Sequence, residues 1–322
     1  MNPIKARVLR RGDTISVIAP AGPVDRGRVE RALDRLRALG YRLKTHGDIF
    51  RARGYLAGDD ETRALEIMDA FADPESTAVW CARGGYGIVR LLERLDYDVI
   101  RCHPKVFVGF SDITALHLAI QNRTGLVTFH GPNLQDGFGA ADGMSATTEA
   151  ALWRAISADA PSVGQGDTLA ESGVGGVTLR ALSPGVASGR ITGGNLSVLC
   201  GLVGTPFEIE TAGRILFLED VNEPLYRIDR YLAQLALAGK LREAAGILLG
   251  GFTFDQQSPA ESDAALLDLF QEYFGGLSVP AVAGFPAGHQ RENWAWPMNA
   301  MVDVNADAGR VRMLERPVVV IH

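Results

Sequence analysis

The chain has 322 residues, 47% of them hydrophobic, with 32 Lys and Arg against 38 Asp and Glu for a formal net charge of −6. That length supports one large or two ordinary domains, and the mixed charge leaves no basic footprint for nucleic acid or an anionic membrane. No run of about 18 apolar residues is present to span a bilayer.

Three scattered cysteines, Cys81, Cys102 and Cys200, neither frame disulfides nor stand at metal-ligand spacing, and the basic N-terminus has no apolar signal-peptide core. A cytoplasmic protein without cofactor or metal is expected. Thr14 to Ala19 reads as a buried strand, followed by a Pro/Gly turn at Pro20 to Pro23 and a helix from about Arg26 to Leu39 that stops at Gly40. Tyr41 to Thr45 is a second strand. Gly54 to Gly58 (GYLAG) is a loop, and Asp59 to Ala72 an amphipathic helix ending before Asp73 and Pro74. Thr77 to Ala82 forms a third strand that runs into the loop RGGYG (Arg83 to Gly87) and a helix from about Ile88 to Leu95. Alternation of this kind implies a parallel sheet.

The stretch Val106 to Ile120, VFVGFSDITALHLAI, is the organising one. An apolar strand stops at Ser111 and becomes a helix, with Ile113, Leu116 and Ile120 at helical spacing, so the hydroxyl lies beside the first helical N–H groups. A serine so placed resembles a nucleophile elbow, in which the next backbone N–H, here that of Asp112, stabilises an oxyanion. It stands equally well as a helix N-cap, and GFSD lacks the final glycine of the usual motif. RGGYG has two readings as well, a plain turn or a set of backbone N–H groups from Gly84 and Gly85 facing Ser111. It follows the third strand with the wrong spacing for a dinucleotide fingerprint.

Leu126 to Phe129 is a further strand, ending at HGPN (His130 to Asn133). From Asp136 to Ser188 the composition turns to Gly, Ala, Ser, Asp and Pro around a helix at about Thr147 to Ile156, and the domain crossover is placed there, at 141–187. Beyond it come GRITGGNL (Gly189 to Leu196) with a short apolar helix, a strand Ile215 to Leu218 ending at Glu219 and Asp220, an amphipathic helix Pro224 to Leu237, a strand Gly246 to Phe252, and a helix Ala264 to Phe274. Gly284 to His289 reads as a loop. Met298 to Asn305 and Arg310 to Ile321 read as an antiparallel pair turning at Gly309. The fold class is therefore α/β: a three-layer, parallel-sheet N-terminal domain of Rossmann or flavodoxin type (1–140), and a smaller strand-rich α/β domain (188–322).

A hydroxyl nucleophile needs a base and a carboxylate to orient it. His289, after a Pro/Gly loop, and Glu219, at a strand end, supply both, with His130 the competitor for the base. His46, His103, His117 and His322 lack such a loop context.

Taken together, GYLAG, RGGYG, GFSD (Gly109 to Asp112), HGP (His130 to Pro132), GGNL (Gly193 to Leu196), FLED (Phe217 to Asp220), YRIDR (Tyr226 to Arg230) and PAGH (Pro286 to His289) resemble the LD-carboxypeptidase family of serine peptidases, in order and over nearly the whole chain. The family includes cytoplasmic murein tetrapeptide carboxypeptidases and microcin C self-immunity proteins. The resemblance implies a triad of Ser111, Glu219 and His289, an oxyanion hole from the N–H groups of Gly85 and Asp112, a small peptide substrate and a homodimer. Ala287 stands where the family pattern has Phe before Gly-His, which bears on local packing. Arg83, Tyr86, His130, Asn195 and Arg230 are the candidates for substrate contact. The expected reaction converts murein tetrapeptide to tripeptide and D-alanine. The alternatives are hydrolysis of a peptidyl or aminoacyl nucleotide, with Trp294 or Trp296 stacking on the base, and a non-catalytic muropeptide-binding protein.

Overall fold

The computed structural model describes residues 2–161, 163–254 and 262–320. The chain divides into two compact units, one drawn from Met1–Ser162, Trp294–Asn299 and Pro317–His322, the other from Val163–Asn293 and Ala300–Arg316. Of the strand expected at Arg310 to Ile321, Arg310–Met313 is extended, and Ile321 and the terminal His322 lie outside the described residues.

The first unit opens with β1 (Thr14–Ile18), α1 (Arg26–Ala38), β2 (Arg42–Thr45), α2 (Asp60–Ala72) and β3 (Ser76–Cys81). Both helices begin where the sequence offers an aspartate: the Asp25 carboxylate accepts from Arg28 N–H and that of Asp59 from Thr62 N–H, each satisfying an otherwise orphaned donor. After β3 the expected helix is replaced by two 3-10 turns, Ile88–Arg90 and Leu92–Arg94, and by a short unforeseen helix, α3 (Tyr97–Cys102). The chain between Gly87 and Asp96 is wound as these tighter turns, and Asp96 then caps α3. Strand β4 (Val106–Gly109) leads through a 3-10 turn at Ser111–Ile113 into α4 (Thr114–Thr124), followed by β5 (Thr128–His130) and, after a long loop, α5 (Ala146–Ile156). Helix α4 is buried along nearly all of its length, which explains why its apolar residues show so little one-sided patterning.

These strands form one sheet in the order β12-β5-β4-β3-β1-β2. β2, β1, β3, β4 and β5 run parallel, and β12 (Trp296–Met298) adds antiparallel to β5 with Trp296 opposite His130. The 2-1-3-4-5 order is the flavodoxin-like one, and its direction of winding reverses between β1 and β3. Loops after those two strands therefore diverge at their carboxyl ends, and there Gly22 N–H donates to Gly84 C=O at 3.0 Å.

The second unit holds β6 (Thr168–Glu171), β7 (Arg180–Ser183), β8 (Val186–Asn195), α6 (Leu196–Leu202), β9 (Ile215–Asp220), α7 (Leu225–Leu237), α8 (Lys240–Glu243), β10 (Gly246–Phe252), α9 (Asp263–Phe274), β11 (Ala281–Gly288), β13 (Met301–Asn305) and β14 (Arg310–Met313). Its sheet runs β6-β14-β13-β8-β9-β10-β11-β7, with β8 to β11 parallel at the centre and antiparallel strands on both flanks. Central strand β9, ILFLED, is buried at all six positions, as a strand covered on both faces must be. Helix α7 buries Ile228, Leu232 and Leu235, one stripe at spacings of four and three.

The stretch 141–187, expected as a crossover, carries α5, β6 and β7 and the start of β8. Its strands are short and flank the sheet, where polar and small residues are tolerated. The loop expected at Gly284 to His289 is β11 as far as Gly288, extended beside the glycines of β10 with Gly251 opposite Gly288. The single tail strand expected at Met298 to Asn305 is two strands in different sheets, parted at Asn299, whose φ of 68° breaks the extended run and whose side-chain amide donates to Gly125 C=O at 2.9 Å. Trp296 is 1% exposed and is one of the largest side chains of this core. Trp296→Ala is expected to lower unfolding free energy by about 3–5 kcal/mol, a cavity cost that a guanidinium titration will register as a lower midpoint.

Candidate active site

The expected site residues fall in both units. In the first, Ser111 has a positive φ of 68°, one of three non-glycine residues to do so among the described residues of the whole chain. A left-handed serine between a strand and a helix is a sharp, strained turn. Three neighbours hold the two residues before it. The Asn133 side chain brackets the preceding residue, its Oδ1 accepting from Phe110 N–H at 3.3 Å and its Nδ2 donating to Phe110 C=O at 3.5 Å. Below, Gly109 C=O accepts from Gly131 N–H and from His117 Nε2. A carbonyl only accepts, so the proton of His117 sits on Nε2 and Nδ1 accepts from the Thr128 hydroxyl at 2.7 Å. Complete burial pushes the His117 pKa down to about 3, so this neutral imidazole is a buttress beneath the serine.

Beside the serine lies the glycine loop. A Cβ on Gly84 would fall 2.8 Å from Ser111 Cβ and 3.1 Å from Ser111 Oγ, so only glycine lets the loop approach so closely. Gly85, with φ of 116°, is exposed, as is the following Tyr86, whose ring meets that of Tyr55 edge-on at 5.7 Å. Arg83 turns away, its guanidinium donating to Pro23 C=O. Asp112 is 3% exposed, and its carboxylate accepts from Ile88 N–H at 3.0 Å, tying the far end of the glycine loop to the residue after the serine. Burial lifts its pKa to about 6 against the pull of the Ile88 N–H and Arg63. His130, expected among substrate contacts and as a rival base, is fully buried, its ring edge-on to Phe110 and 6.2 Å from His117. It ends β5 and packs within this buried cluster of rings.

In the second unit Glu219 and His289 are brought together. His289 Nδ1 lies 2.6 Å from Glu219 Oε2, and the same oxygen accepts from His289 N–H at 3.2 Å. Glu219 is fully buried at the carboxyl end of β9, whereas the His289 side chain keeps 17% of its surface. With a carboxylate accepting at Nδ1, that nitrogen carries the proton and the lone pair is on Nε2, the arrangement of a general base. Gly288 makes the contact possible: a Cβ there, at φ of 100°, would fall 2.6 Å from Glu219 Cβ. The small residue of PAGH at Ala287 is fully buried in β11.

Asn195, pictured as a substrate contact, is 3% exposed and caps α6, its Oδ1 accepting from Val198 N–H while its Nδ2 donates to Asp220 at 2.9 Å. Asp220, beside Glu219, also accepts from Ser197 and Val221 N–H, and burial lifts its pKa to about 6. Arg230 is exposed on α7, its guanidinium 5.6 Å from the Tyr226 ring centre. Trp294 stacks on Trp296 at 6.4 Å. Asn133, Asp220 and Gly288 went unremarked as site residues in the sequence, although HGPN, FLED and PAGH contain them. Among the described residues no group of three His, Cys, Asp or Glu side chains is disposed to hold a metal ion, and no helix is long and apolar enough to cross a membrane.

Two outcomes follow from this geometry. Gly288→Ala is expected to break the Glu219–His289 contact and abolish hydrolysis while the chain still folds, which circular dichroism and a turnover assay separate. Because the folded state holds the Asp112 proton up to about pH 6 while the unfolded chain releases it near pH 4, ionisation of Asp112 lowers stability as pH rises through that window. Asp112→Asn should remove that dependence, gaining up to about 3 kcal/mol on the wild type between pH 4 and 7 in urea titrations.

Two family models match the chain in order: the LD-carboxypeptidase N-terminal domain over residues 15–131 and the LD-carboxypeptidase C-terminal domain over 188–304. A probable murein peptide carboxypeptidase of Bacillus subtilis is 40% identical over 301 residues, 94% of this chain and 91% of that protein. The murein tetrapeptide carboxypeptidase of Pseudomonas aeruginosa is 37% identical over 290 residues, covering 88% and 90%. Among solved structures, the microcin C7 self-immunity protein MccF, a protein known from Escherichia coli, in complex with glutamyl sulfamoyl guanosine superposes with a TM-score of 0.87 at 25% identity, covering 98% of this chain and all of that one. Matched by both domain models in order and by such relatives over nearly its full length, this chain belongs to the LD-carboxypeptidase family of peptidases.

Proposed function

We propose that this protein is a serine-type LD-carboxypeptidase that hydrolyses the amide joining an L-configured residue to a C-terminal D-amino acid. The observation that carries the reading is the 2.6 Å contact between buried Glu219 and His289 Nδ1, a base already oriented with its lone pair on Nε2. Ser111, in its strained turn, is the nucleophile. His289 takes the Ser111 proton as Oγ bonds to the carbonyl carbon, and the oxyanion that forms meets the N–H groups of Gly85 and Asp112. When the C–N bond breaks, the same imidazole gives its proton to the leaving amine, and water then cleaves the acyl-serine by the reverse roles.

The relatives named for murein peptides support murein tetrapeptide as the substrate, with tripeptide and D-alanine as products. On this reading the enzyme works in cytoplasmic peptidoglycan recycling as a homodimer. Exposed Tyr86 and Arg230 are the substrate contacts, while Arg83 and Asn195, engaged by Pro23 and Asp220, shape the loops behind them. A second reading keeps the residues and changes the substrate to a peptidyl or aminoacyl nucleotide. It draws support from the likeness to MccF with its bound glutamyl sulfamoyl guanosine, and assigns base stacking to Trp294, since Trp296 is buried.

Murein tetrapeptide incubated with the purified protein should yield D-alanine by mass spectrometry, and Ser111→Ala should lose at least ~1,000-fold in rate. A folded wild type that releases none, yet cleaves a glutamyl sulfamoyl nucleoside, would select the second reading. Binding of tetrapeptide without turnover of either compound would leave only a binding protein.

A further inference from the structure

We infer that Arg63, outside every motif of the sequence, is a positioning residue that grips one peptide group of the glycine loop and so sets the spacing of the two oxyanion donors; this rests on the reading of Ser111 as nucleophile with Gly85 and Asp112 as donors. Arg63 projects from the first turn of α2 and is fully buried, one of the largest side chains with no exposed surface. An arginine cannot shed its charge, so burying it is unfavourable unless its donors are used, and a buried ion pair by itself is weak evidence for a stabilising role. Its partners are therefore the informative part.

Nη1 donates to Pro20 C=O at 2.6 Å, in the loop after β1, and to Gly87 C=O at 3.2 Å, in the loop after β3. Nη2 donates to Asp60 Oδ1 at 2.7 Å. The other oxygen of Asp60 accepts from Arg90 Nε at 3.0 Å and Nη2 at 2.9 Å, so the carboxylate links Arg63 to the turn just beyond the glycine loop. The guanidinium lies hard against Gly87, where a Cβ would sit 2.9 Å from Nη1.

Gly87 C=O and Ile88 N–H are the two ends of a single peptide group. Its carbonyl accepts from the Arg63 cation and its N–H donates to the Asp112 carboxylate, so that peptide dipole lies between a positive and a negative side chain, each favourably aligned. Asp112 is at once the anionic jaw of this grip and, through its own backbone N–H, the second oxyanion donor. Gly84 C=O, the other end of the peptide group that carries Gly85 N–H, accepts from Gly22 N–H, and Arg83 reaches Pro23 C=O. That bond orients the Gly85 N–H, and the grip at Gly87 fixes the far side of exposed Gly85, so the peptide keeps its place against the serine. Removing Arg63 leaves the flank at Gly87 to the Asp112 carboxylate alone and so loosens Gly85, the most permissive residue type.

The test compares Arg63→Met, which keeps length but no donor, with Arg63→Lys, which keeps one point of donation. For Arg63→Met, kcat for D-alanine release should fall about 10- to 100-fold, less than outright loss of an oxyanion donor, with KM changed by no more than about twofold. Labelling of Ser111 by a fluorophosphonate should slow in parallel, amide exchange should quicken at residues 84–88 but not along α4, and Arg63→Lys should recover part of each. If Arg63→Met does not fold, Asp60→Asn takes the same measurements with a smaller expected effect. Unchanged exchange at 84–88, or a kcat loss that only tracks the folded fraction, overturns the proposal. A wild type that neither releases D-alanine nor labels at Ser111 would refute the nucleophile assignment instead, and exchange at 84–88 would then decide on the grip alone: faster in Arg63→Met supports it, unchanged overturns it.

Discussion

A serine held at φ of 68° between β4 and α4 is the constraint around which the first unit is built. Left-handed backbone costs a non-glycine residue on the order of 1–2 kcal/mol, so it persists only where the surroundings fix it more strongly than that. Here they do so from every side: Asn133 brackets Phe110, neutral His117 supports Gly109 C=O, and Gly84 has no side chain to push the serine away. The result is a hydroxyl at the entry to a helix, where the helix dipole is positive.

Polar groups in this unit are chosen to hold backbone rather than to meet solvent. Arg31 and Arg35 of α1 donate to the carbonyls of Phe138, Gly139 and Ala140, just as Arg63 donates to Pro20 and Gly87. Loops rich in glycine and proline carry unpaired carbonyls, and long cations from neighbouring helices satisfy them. The second unit solves a different problem, that of burying charge. Glu219 lies fully inside at the end of β9 and is turned to the one histidine beside it, while adjacent Asp220 is surrounded by donors from Asn195, Ser197 and Val221. Two neighbouring acids thus take separate tasks, one facing an imidazole and the other locking the start of α6.

Much of this was legible in the chain. The alternation of apolar strands with amphipathic helices bounded by Pro and Gly located β1, α1, α2, β4, β9 and α7 within a residue or two, and the structure adds that Asp25 and Asp59 cap the first two helices. The errors have local causes. Residues 88–95 have helical spacing but wind as two 3-10 turns, which share that spacing closely, β11 contains the Pro and Gly that usually mark loops, and the short flanking strands β6 and β7 lack an apolar run. Among candidate residues, His130 was indistinguishable by sequence from a loop histidine, whereas in the fold its ring meets Phe110 and Trp296 of β12, more than 160 residues away, pairs opposite it.

The sequence by itself determined the α/β class, the strand-to-helix corner at Ser111, and the family, because backbone turns and caps are written in local residue types and the motifs recur in order. Only the tertiary structure decided that Ser111 adopts left-handed backbone, that Gly288 leaves space for Glu219 to reach His289, and that Arg63 and Asp112 share a peptide group. Those depend on which distant segments are packed together and at what separation, and a distance of a few ångströms between residues 24 or 70 apart has no signature in the order of the amino acids.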